Sequence, residues 1–543
     1  MILRSTAAIL ATLACLPAQT DATPIAPLTP QVVLETVGPD GWRARLGPTN
    51  LGGLAASEEG RALWQPLVEP MLGAWAGMLG GQDVYRVASE RVFGYGGVVR
   101  FAWRRVSGGP VSFAIVIDGD GRTDLAALAA EMRQLVEVMV PGEWATEAVA
   151  GREVQVQSGA GMWLSAPRVD GTQLSILGGE PPGIDAAMGL HAWLAARPAT
   201  LATPKPGSPA LRLRLDLPEL FAANNRGVEN AMLAPLGLDA LRDLTFTVSA
   251  AGPHVQVGAD VTIDGPPRGL VKAMMPTSTG VSGLAALLPE ETSAAKVARL
   301  DPHALVEGIF AAAEAEFEGA REDAEEWLGL DLADDLFAHA TDELLVLGSP
   351  LVDFDRASDA TWALAWRLKD DAKFGAALQK VLKQTRGFLS GSETVEVDGV
   401  ELRRYGNLVG YDLWIGVGDG LWVISAGRDA EEQATTLLRQ AKGKELASTP
   451  APPRGFDDLR RYLPAGCNGF ARADLADIAG IPADWWLMLL PELLPSELSL
   501  GVDNEQAEAQ AEAMRAMLIE HHLGVLRTAT GSADGTWRWR LFW

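Results

Sequence analysis

The sequence predicts an α+β fold made of two tandem, pseudo-symmetric units, each a mainly antiparallel sheet with helices packed on one face. Two observations support this class. Short strand-like runs follow one another across tight turns, with helices between the runs. The order of these elements also recurs in the second half of the 543-residue chain. Turns rather than helices join neighbouring strands, so an antiparallel sheet is favoured over a doubly wound parallel one.

Three short sequence matches relate the two halves of the chain. They occur in the same order, at offsets of 254, 249 and 258 residues. The matches pair residues 45–51 with 299–305, residues 169–171 with 418–420, and residues 214–220 with 472–478. Such a nearly constant offset predicts the tandem duplication of a unit of about 250 residues.

Composition shifts divide the chain into five segments. We expect a signal peptide over residues 1–22, an extended lead-in over 23–40, a first α+β repeat over 41–263, a connector over 264–283 and a second repeat over 284–543. The connector is predicted from the Pro and Gly clusters at 265–267 and 276–280, which break regular structure.

The N-terminus has the pattern of a secretory signal. Arg4 precedes an apolar stretch over residues 7–16, and Ala22 closes a small-residue cleavage pattern. The apolar stretch is too short to span a bilayer, and no transmembrane segment is expected after cleavage. We therefore expect an exported protein, periplasmic or extracellular. Thr12 stands where a lipoprotein box usually has Leu, which argues against lipid anchoring through Cys15.

The first repeat is predicted to hold nine strand segments and three helices. The strands are 41–46, 84–105 as a hairpin, 111–117, 154–157, 162–165, 173–177, 211–215, 244–249 and 254–262, and the helices are 57–79, 123–139 and 184–195. Apolar residues at helical spacing indicate the first helix, and Asp124 caps the second. Asp170-Gly171 is typical of a hairpin turn in which both residues have positive φ.

The second repeat is predicted to follow the same order. Its strands are 361–366, 395–397, 401–405, 413–417, 422–425, 469–473, 524–528 and 536–542, and its helices are 372–384 and 430–441. Asp419-Gly420 supplies the corresponding turn. Pro-rich connectors over 198–209 and 450–454 lead in both halves to an alternating strand that ends at an Asp-Leu pair.

Composition excludes some partners and leaves others open. The net charge of −25, without a basic stripe, disfavours nucleic acid and anionic membrane surfaces, because both require clustered Lys and Arg.

After signal cleavage Cys467 alone would remain, which excludes an intrachain disulfide and predicts a buried thiol. The 17 Trp residues fit core packing, or alternatively an aromatic groove for a sugar, lipid or peptide.

No motif in the sequence predicts a catalytic, cofactor-binding or metal-binding residue, and no cofactor is expected. Asp118, Asp120 and Asp124 alternate as calcium ligands do. However, Arg122 and Ala129 occupy positions where a calcium loop needs oxygen ligands, so a strand-to-helix turn is favoured. Serine-hydrolase and phosphate-loop motifs are lacking. Carboxylate pairs are too abundant in an acidic chain to identify a hydrolase.

The most apolar run of the mature chain is a candidate contact surface. It contains Trp485, Trp486, Leu487 and Leu490. A core helix explains this run, and the alternative is a hydrophobic contact for a lipid, membrane or partner. The acidic helical stretch over 310–332 is predicted to be a solvated helix face.

The chain resembles a loose class of uncharacterised exported bacterial proteins built from a duplicated α+β unit. The resemblance depends on the signal peptide, the Arg-Leu-x-Pro-type opening at Arg45, and paired strand–helix–hairpin units with Val-Asp-Gly turns such as the one at Asp170. It covers most of the mature chain and implies no catalytic residues.

Together these features predict a non-enzymatic, exported binding or scaffold protein of the cell envelope or extracellular space. Its partner would be an unknown protein or a small apolar ligand. One alternative is a carrier of a hydrophobic ligand such as a lipid, which the Trp content and the 485–494 run suggest. The other is a hydrolase with a non-local carboxylate pair, which only the acid surplus suggests.

Overall fold

A computed structural model gives the architecture of most of the chain. It describes residues 25–58, 97–105, 109–149, 152–159, 161–201, 208–223, 233–276, 278, 280–289, 294–348, 361–384, 390–408, 411–444, 446–447, 449, 452–453, 455–474 and 516–543. The chain divides into two compact units, one of Met1–Gly38 with Trp75–Ala202, and one of Pro39–Ala74 with Thr203–Trp543. The predicted helix over 57–79 lies outside the described residues, apart from its first two.

Strands and helices are numbered here in chain order. The strands are β1 (Val32–Val37), β2 (Val98–Arg105), β3 (Val111–Asp118), β4 (Trp144–Val149), β5 (Arg152–Gly159), β6 (Met162–Ser165), β7 (Arg168–Asp170), β8 (Gln173–Gly179), β9 (Leu211–Asp216), β10 (Leu241–Ala251), β11 (His254–Ile263), β12 (Ala294–Arg299), β13 (Ala340–Gly348), β14 (Trp362–Leu368), β15 (Ser390–Val397), β16 (Val400–Leu408), β17 (Tyr411–Gly418), β18 (Leu421–Ala426), β19 (Cys467–Asp474), β20 (Val525–Ala533) and β21 (Thr536–Phe542). The helices are α1 (Pro39–Leu46), α2 (Asn50–Ala56), α3 (Leu125–Met139), α4 (Ile184–Ala195), α5 (Leu217–Ala223), α6 (Gly269–Met274), α7 (Pro302–Glu316), α8 (Ala320–Leu328), α9 (Asp371–Gln384) and α10 (Ala430–Ala441).

Both units confirm the α+β class and the antiparallel pairing. In the first unit the strand order is β1–β2–β3–β8; β8 then pairs with β6 and β7, and β5 and β4 follow β6. In the second unit the order is β9–β10–β11–β21–β20–β19–β12–β13–β14–β18–β17–β16–β15. Every pairing within each unit's described strands is antiparallel.

The expectation that helices pack on one face of each sheet is wrong. Ala114 and Val116 of β3 pack with Leu190 of α4, whereas Ile117 packs with Leu125 of α3. Successive strand residues point to opposite faces, so these two helices cover opposite faces of the first sheet. The physical reason is the apolar run in β3, which must be buried on both sides.

The second unit repeats this arrangement of helices. Ala365 of β14 packs with Leu437 of α10, and the next residue, Trp366, packs with Phe374 of α9. Phe337 and Trp422 extend the aromatic cluster around Phe374, with ring centroids 5.1–6.5 Å apart. These Trp side chains therefore belong to a core, the first of the two interpretations of the Trp content.

The segment 41–46 is helical, not a strand as predicted. It lies within α1, in which Arg45 donates a hydrogen bond to Pro209 O. Arg299, its partner in the first sequence match, ends strand β12 instead. This match therefore joins residues in different kinds of element. Its Arg-Leu pair is too short to distinguish a helix end from a strand end.

The second sequence match identifies corresponding hairpins but is one residue out of register. Asp170 pairs with Gln173, so Gly171 and Thr172 form the loop, and Gly171 alone has positive φ. In the second hairpin Asp419 and Gly420 both have positive φ, as predicted. A slip of one residue exchanges the two faces of a strand.

The third sequence match joins equivalent positions. Asp216 ends β9 beside β10, and Asp474 ends β19 beside β20. The hairpins that follow also have turns of equal length, because β10 and β11 are separated by Gly252-Pro253, and β20 and β21 by Asp534-Gly535.

Strands β11 and β21 form a junction with local twofold character. Gln256 pairs with Phe542, and Asp260 pairs with Arg538. Within this ladder Gly258 pairs with Arg540, and these two residues have the same position in their respective hairpins (540 − 258 equals 536 − 254). The Arg540 side chain contacts Asp260 at 2.5 Å.

Candidate interaction surface

The predicted contact residues Trp485, Trp486, Leu487 and Leu490 lie outside the described residues. Among the described residues, large exposed apolar side chains concentrate on another element. Met274, Ile309, Phe317 and Trp327 all belong to the stretch that holds helices α6, α7 and α8. We call α7 and α8, with the residues 317–319 that join them, the helix pair.

Local sequence signals explain how the helix pair forms. Asp301 caps α7 by accepting a hydrogen bond from the Ala304 backbone N–H at 3.0 Å. Phe317 ends α7 in an extended conformation. Gly319 and Gly329 flank α8 with φ of 83° and 69°, values that favour glycine over residues with a Cβ. The chain therefore turns sharply at both ends of α8.

Close packing holds the inner side of the helix pair. A Cβ built on Gly308 would lie 2.8 Å from the backbone nitrogen of Leu270, so α6 and α7 are in backbone contact there. Ala304, Ala312 and Leu328 are buried on the same inner side. The helix pair is thus anchored by small and apolar residues, which leaves its outer side to solvent.

The outer side of the helix pair exposes large apolar residues. The exposed fractions are 51% for Ile309, 67% for Phe317 and 51% for Trp327. Trp327 is exposed although its neighbour Leu328 is only 6% exposed. Aromatic side chains of this kind are enriched at the centres of protein interfaces.

The helix pair and the residues that follow it are strongly acidic. Between residues 307 and 335 the sequence has eleven Asp and Glu residues and one basic residue, Arg321. Carboxylates on the outer surface include five exposed residues: Glu314, Glu318, Glu322, Asp323 and Glu326. Apolar and acidic groups are therefore interspersed on this surface.

Arg321 is bound by carboxylates of the helix pair and by Asp331, which follows it. Its guanidinium donates to Glu325 at 2.5 Å, to Glu307 at 3.1 Å and to Asp331 at 3.0 Å. Hydrogen bonds to Glu325 and Glu307 are the main reason that the pKa of Arg321 is raised. Burial acts to raise the pKa of Asp331, but hydrogen bonds from Asp334 N–H and Arg321 outweigh it and lower that pKa.

A second surface feature is an apolar face on the sheet of the same unit. Leu213, Phe246, Ala259 and Trp539 stand side by side across four neighbouring strands. Because alternate residues share a face, this apolar sheet face comprises Leu211, Leu213, Leu215, Leu244, Phe246, Val248, Val257, Ala259, Val261, Trp537, Trp539 and Leu541. All of these except Ala259 are partly exposed.

The alternating carboxylates at 118–124 have protein partners. Asp118 pairs with Arg100 at 2.7 Å. Asp120 accepts hydrogen bonds from the backbone N–H groups of Arg122 and Thr123, and Asp124 caps α3. This is the strand-to-helix turn that the sequence favoured. Among the described residues, no group of three or more His, Cys, Asp or Glu side chains could hold a metal ion.

Two other side chains with reactive groups, Cys467 and His254, lie against neighbouring protein atoms. Cys467 is partly exposed rather than buried, and its Sγ lies 3.8 Å from Gly469 O. Desolvation raises the pKa of this thiol to about 12, which disfavours the nucleophilic thiolate.

His254 Nε2 lies 3.0 Å from Asp458 Oδ2 and 2.8 Å from Arg527 Nη2. Sequence spacing could not predict this cluster, because its members come from three separate segments.

Comparisons with known proteins give a weak structural likeness. No protein-family model matches the chain, and no curated relative matches it. Crystal form I of the Treponema protein TP0453 is similar with a TM-score of 0.21 and 9% identity, over 46% of this chain and 81% of that one. Crystal form IV gives a TM-score of 0.22 and 10% identity over 44% and 81% of the two chains. Likeness at this level carries no argument about function.

None of the helices that the structure describes is both long enough and apolar enough to cross a bilayer.

Proposed function

We propose that the protein is a non-enzymatic, exported binding or scaffold protein that contacts its partner through the helix pair. The observation that carries this proposal is the exposure of Phe317 and Trp327 on helices whose inner side is already packed. Exposed aromatic side chains are costly to keep in water, and they are enriched at the central contacts of interfaces.

Photo-crosslinking in the native host tests this proposal. A benzoylphenylalanine residue replaces Phe317 in one variant and Trp362 in a control, since Trp362 is 42% exposed and belongs to β14 rather than to the helix pair. We expect a discrete crosslinked product from position 317 and none from position 362. Identical patterns from both positions, or no product from position 317, would contradict the proposal.

Export is the second part of the proposal, and it is supported by the apolar stretch over residues 7–16 and by Ala22. We expect the host to accumulate a mature form that begins after Ala22 outside the cytoplasm. Cell fractionation followed by N-terminal sequencing measures this directly. A full-length chain confined to the cytoplasm would refute export.

We infer that the architecture arose by tandem duplication. The order β1–β2–β3–β8 corresponds to β12–β13–β14–β18. In each case one helix follows the third strand and another follows the fourth. The hairpins β10–β11 and β20–β21 also correspond in the length of their turns and in the register of the residues that flank them. These correspondences support the inference more strongly than the short sequence matches do.

A carrier of a hydrophobic ligand is the second candidate function, and the apolar sheet face favours it. A lipid chain on this face would cover side chains such as Phe246 and Trp539, which are partly exposed. Native mass spectrometry of protein purified from its host tests this candidate. A bound lipid that is lost in a Phe246→Ser, Trp539→Ser variant would support it, and ligand-free protein would exclude it.

A further inference from the structure

We propose that the partner of the helix pair is a basic amphipathic polypeptide segment, in which Lys and Arg side chains accompany large apolar ones. This inference rests on the proposed function, because it names the class of partner that the same surface binds. It follows from the charge of the surface, from the chemistry of its exposed aromatic residues, and from the way the molecule already uses its own arginines.

The charge of the helix pair requires a cationic partner. Burying a carboxylate without a counter-charge is strongly unfavourable. A partner that covers Phe317 and Trp327 also approaches Glu318, Glu322, Asp323 and Glu326. Arg321 is already bonded to three carboxylates and is the stretch's single basic residue. The compensating cations must therefore come from the partner.

The exposed aromatic residues suit arginine and apolar side chains alike. Guanidinium groups are attracted to aromatic faces and stack on them. The protein makes such contacts internally, since Arg197 lies 4.0 Å from the Trp193 ring centroid and Arg133 lies 4.5 Å from that of Trp144. The outer faces of Phe317 and Trp327 offer the same chemistry to an incoming chain.

The same features disfavour other macromolecules. A phosphate backbone or an anionic lipid surface would meet the exposed carboxylates and the net charge of −25 with repulsion. A neutral lipid surface would bury the aromatic residues but leave the carboxylates without partners. A folded or disordered chain that alternates cationic and apolar groups satisfies both kinds of side chain.

Peptide binding to the purified full-length chain tests the inference. The probe is a fluorescent amphipathic peptide of Lys, Leu and Trp, and two matched peptides replace Lys by Glu or scramble the order of residues. We expect the basic amphipathic peptide to bind at least tenfold more tightly than either control peptide, with an affinity that falls as salt is raised. Equal affinity for the basic and acidic peptides would overturn the inference.

Two sets of variants localise the binding. We expect Phe317→Ser with Trp327→Ser to weaken binding of the basic peptide about tenfold or more. We expect Glu322→Gln with Asp323→Asn and Glu326→Gln to weaken it and to flatten its salt dependence. Matched controls are Trp362→Ser, and Glu431→Gln with Glu432→Gln in the exposed first turn of α10. Equal losses in the controls would refute this location.

Failure of the partner class and failure of the proposed function give different results. If position 317 still crosslinks a partner in the host while the basic peptide does not bind, the partner chemistry is wrong and the contact surface stands. If neither occurs, both proposals fail. Tighter binding to phosphatidylcholine vesicles than to the basic peptide would also overturn the polypeptide assignment.

Discussion

His254 has two competing partners at one ring nitrogen. A protonated Nε2 donates to Asp458, whereas an unprotonated Nε2 accepts from Arg527, so the two forms of the imidazole make different hydrogen bonds. Burial is the main cause that lowers the pKa of His254; Arg527 adds to this effect, and Asp458 opposes it. Protonation of His254 therefore changes the hydrogen bonds at the start of β11, where this residue lies.

We expect the pKa of His254 to lie below 6.5, to fall further in Asp458→Asn and to rise in Arg527→Gln. The unfolded chain binds the proton more readily between the folded pKa and about 6.5, so stability falls as pH is lowered through that window. Histidine proton NMR measures the pKa, and His254→Gln assigns the resonance. A value above 6.5, or shifts of the same sign in both variants, would contradict the expectation.

The sequence could not predict which individual side chains of the helix pair are exposed. Trp327 and Leu328 are adjacent and apolar, yet one is 51% exposed and the other 6%. Helical spacing cannot decide between them without the position of α7. The predicted solvated face over 310–332 is right for the exposed Glu314, Glu318, Glu322, Asp323 and Glu326, whereas Glu325 is half-buried against Arg321. No signal in the sequence indicated that Phe317 would be exposed with them.

At the scale of elements, an ion pair joins the C-terminus of α4 to the first sheet. Arg100 is 1% exposed; it forms two hydrogen bonds with Asp118 and donates to the carbonyl groups of Leu194 and Arg197. The carbonyl groups at the end of the helix therefore accept hydrogen bonds from a side chain of β2 rather than from water. Loss of one partner would leave a buried charge uncompensated.

We expect Asp118→Asn to lower the free energy of unfolding by about 3 kcal/mol, as is typical when one partner of a buried ion pair is removed. Urea unfolding measures the change. The control is Asp457→Asn, because the Arg460–Asp457 pair is 62% and 67% exposed and should contribute less than about 1 kcal/mol. Equal losses in the two variants would show that Arg100 does not depend on Asp118.

Element positions were predictable where the pattern was local. Helix α4 has the predicted limits, 184–195, and strand β21 has the predicted limits, 536–542. Predictions that needed tertiary information failed. The strand predicted over 41–46 is helical because its packing decides its conformation. The second helix layer was missed because the buried runs in β3 and β14 do not reveal which face each helix covers.

At the scale of the second unit, the junction between β11 and β21 depends on a residue without a side chain. A Cβ on Gly258 would lie 2.8 Å from Thr247 Oγ1 and 3.2 Å from Arg540 Nη1. Arg540 uses this space to reach Asp260. The equivalent positions of the two hairpins thus pair one long side chain with a glycine, where strict symmetry would place two equal residues.

We expect Gly258→Val to destabilise the protein by about 1–3 kcal/mol through overpacking against Thr247 and Arg540. Gly348→Val is the matched control, because among the described residues a Cβ at that strand position meets only the Ala294 Cβ, at 3.6 Å. Chemical denaturation gives the free energy, and amide exchange of β20 and β21 locates the loss. If the control is destabilised as much as Gly258→Val, the junction has no special sensitivity.

The pairing of β11 with β21 also determines when folding can finish. Asp260 and Arg540 are in contact although they are 280 positions apart in the chain. During synthesis one edge of β11 stays unpaired until β21 has left the ribosome, and such edges promote aggregation. If the chain is translocated unfolded, as the proposed export implies, it avoids this wait inside the cell, and completing the sheet only after transport would protect the nascent protein.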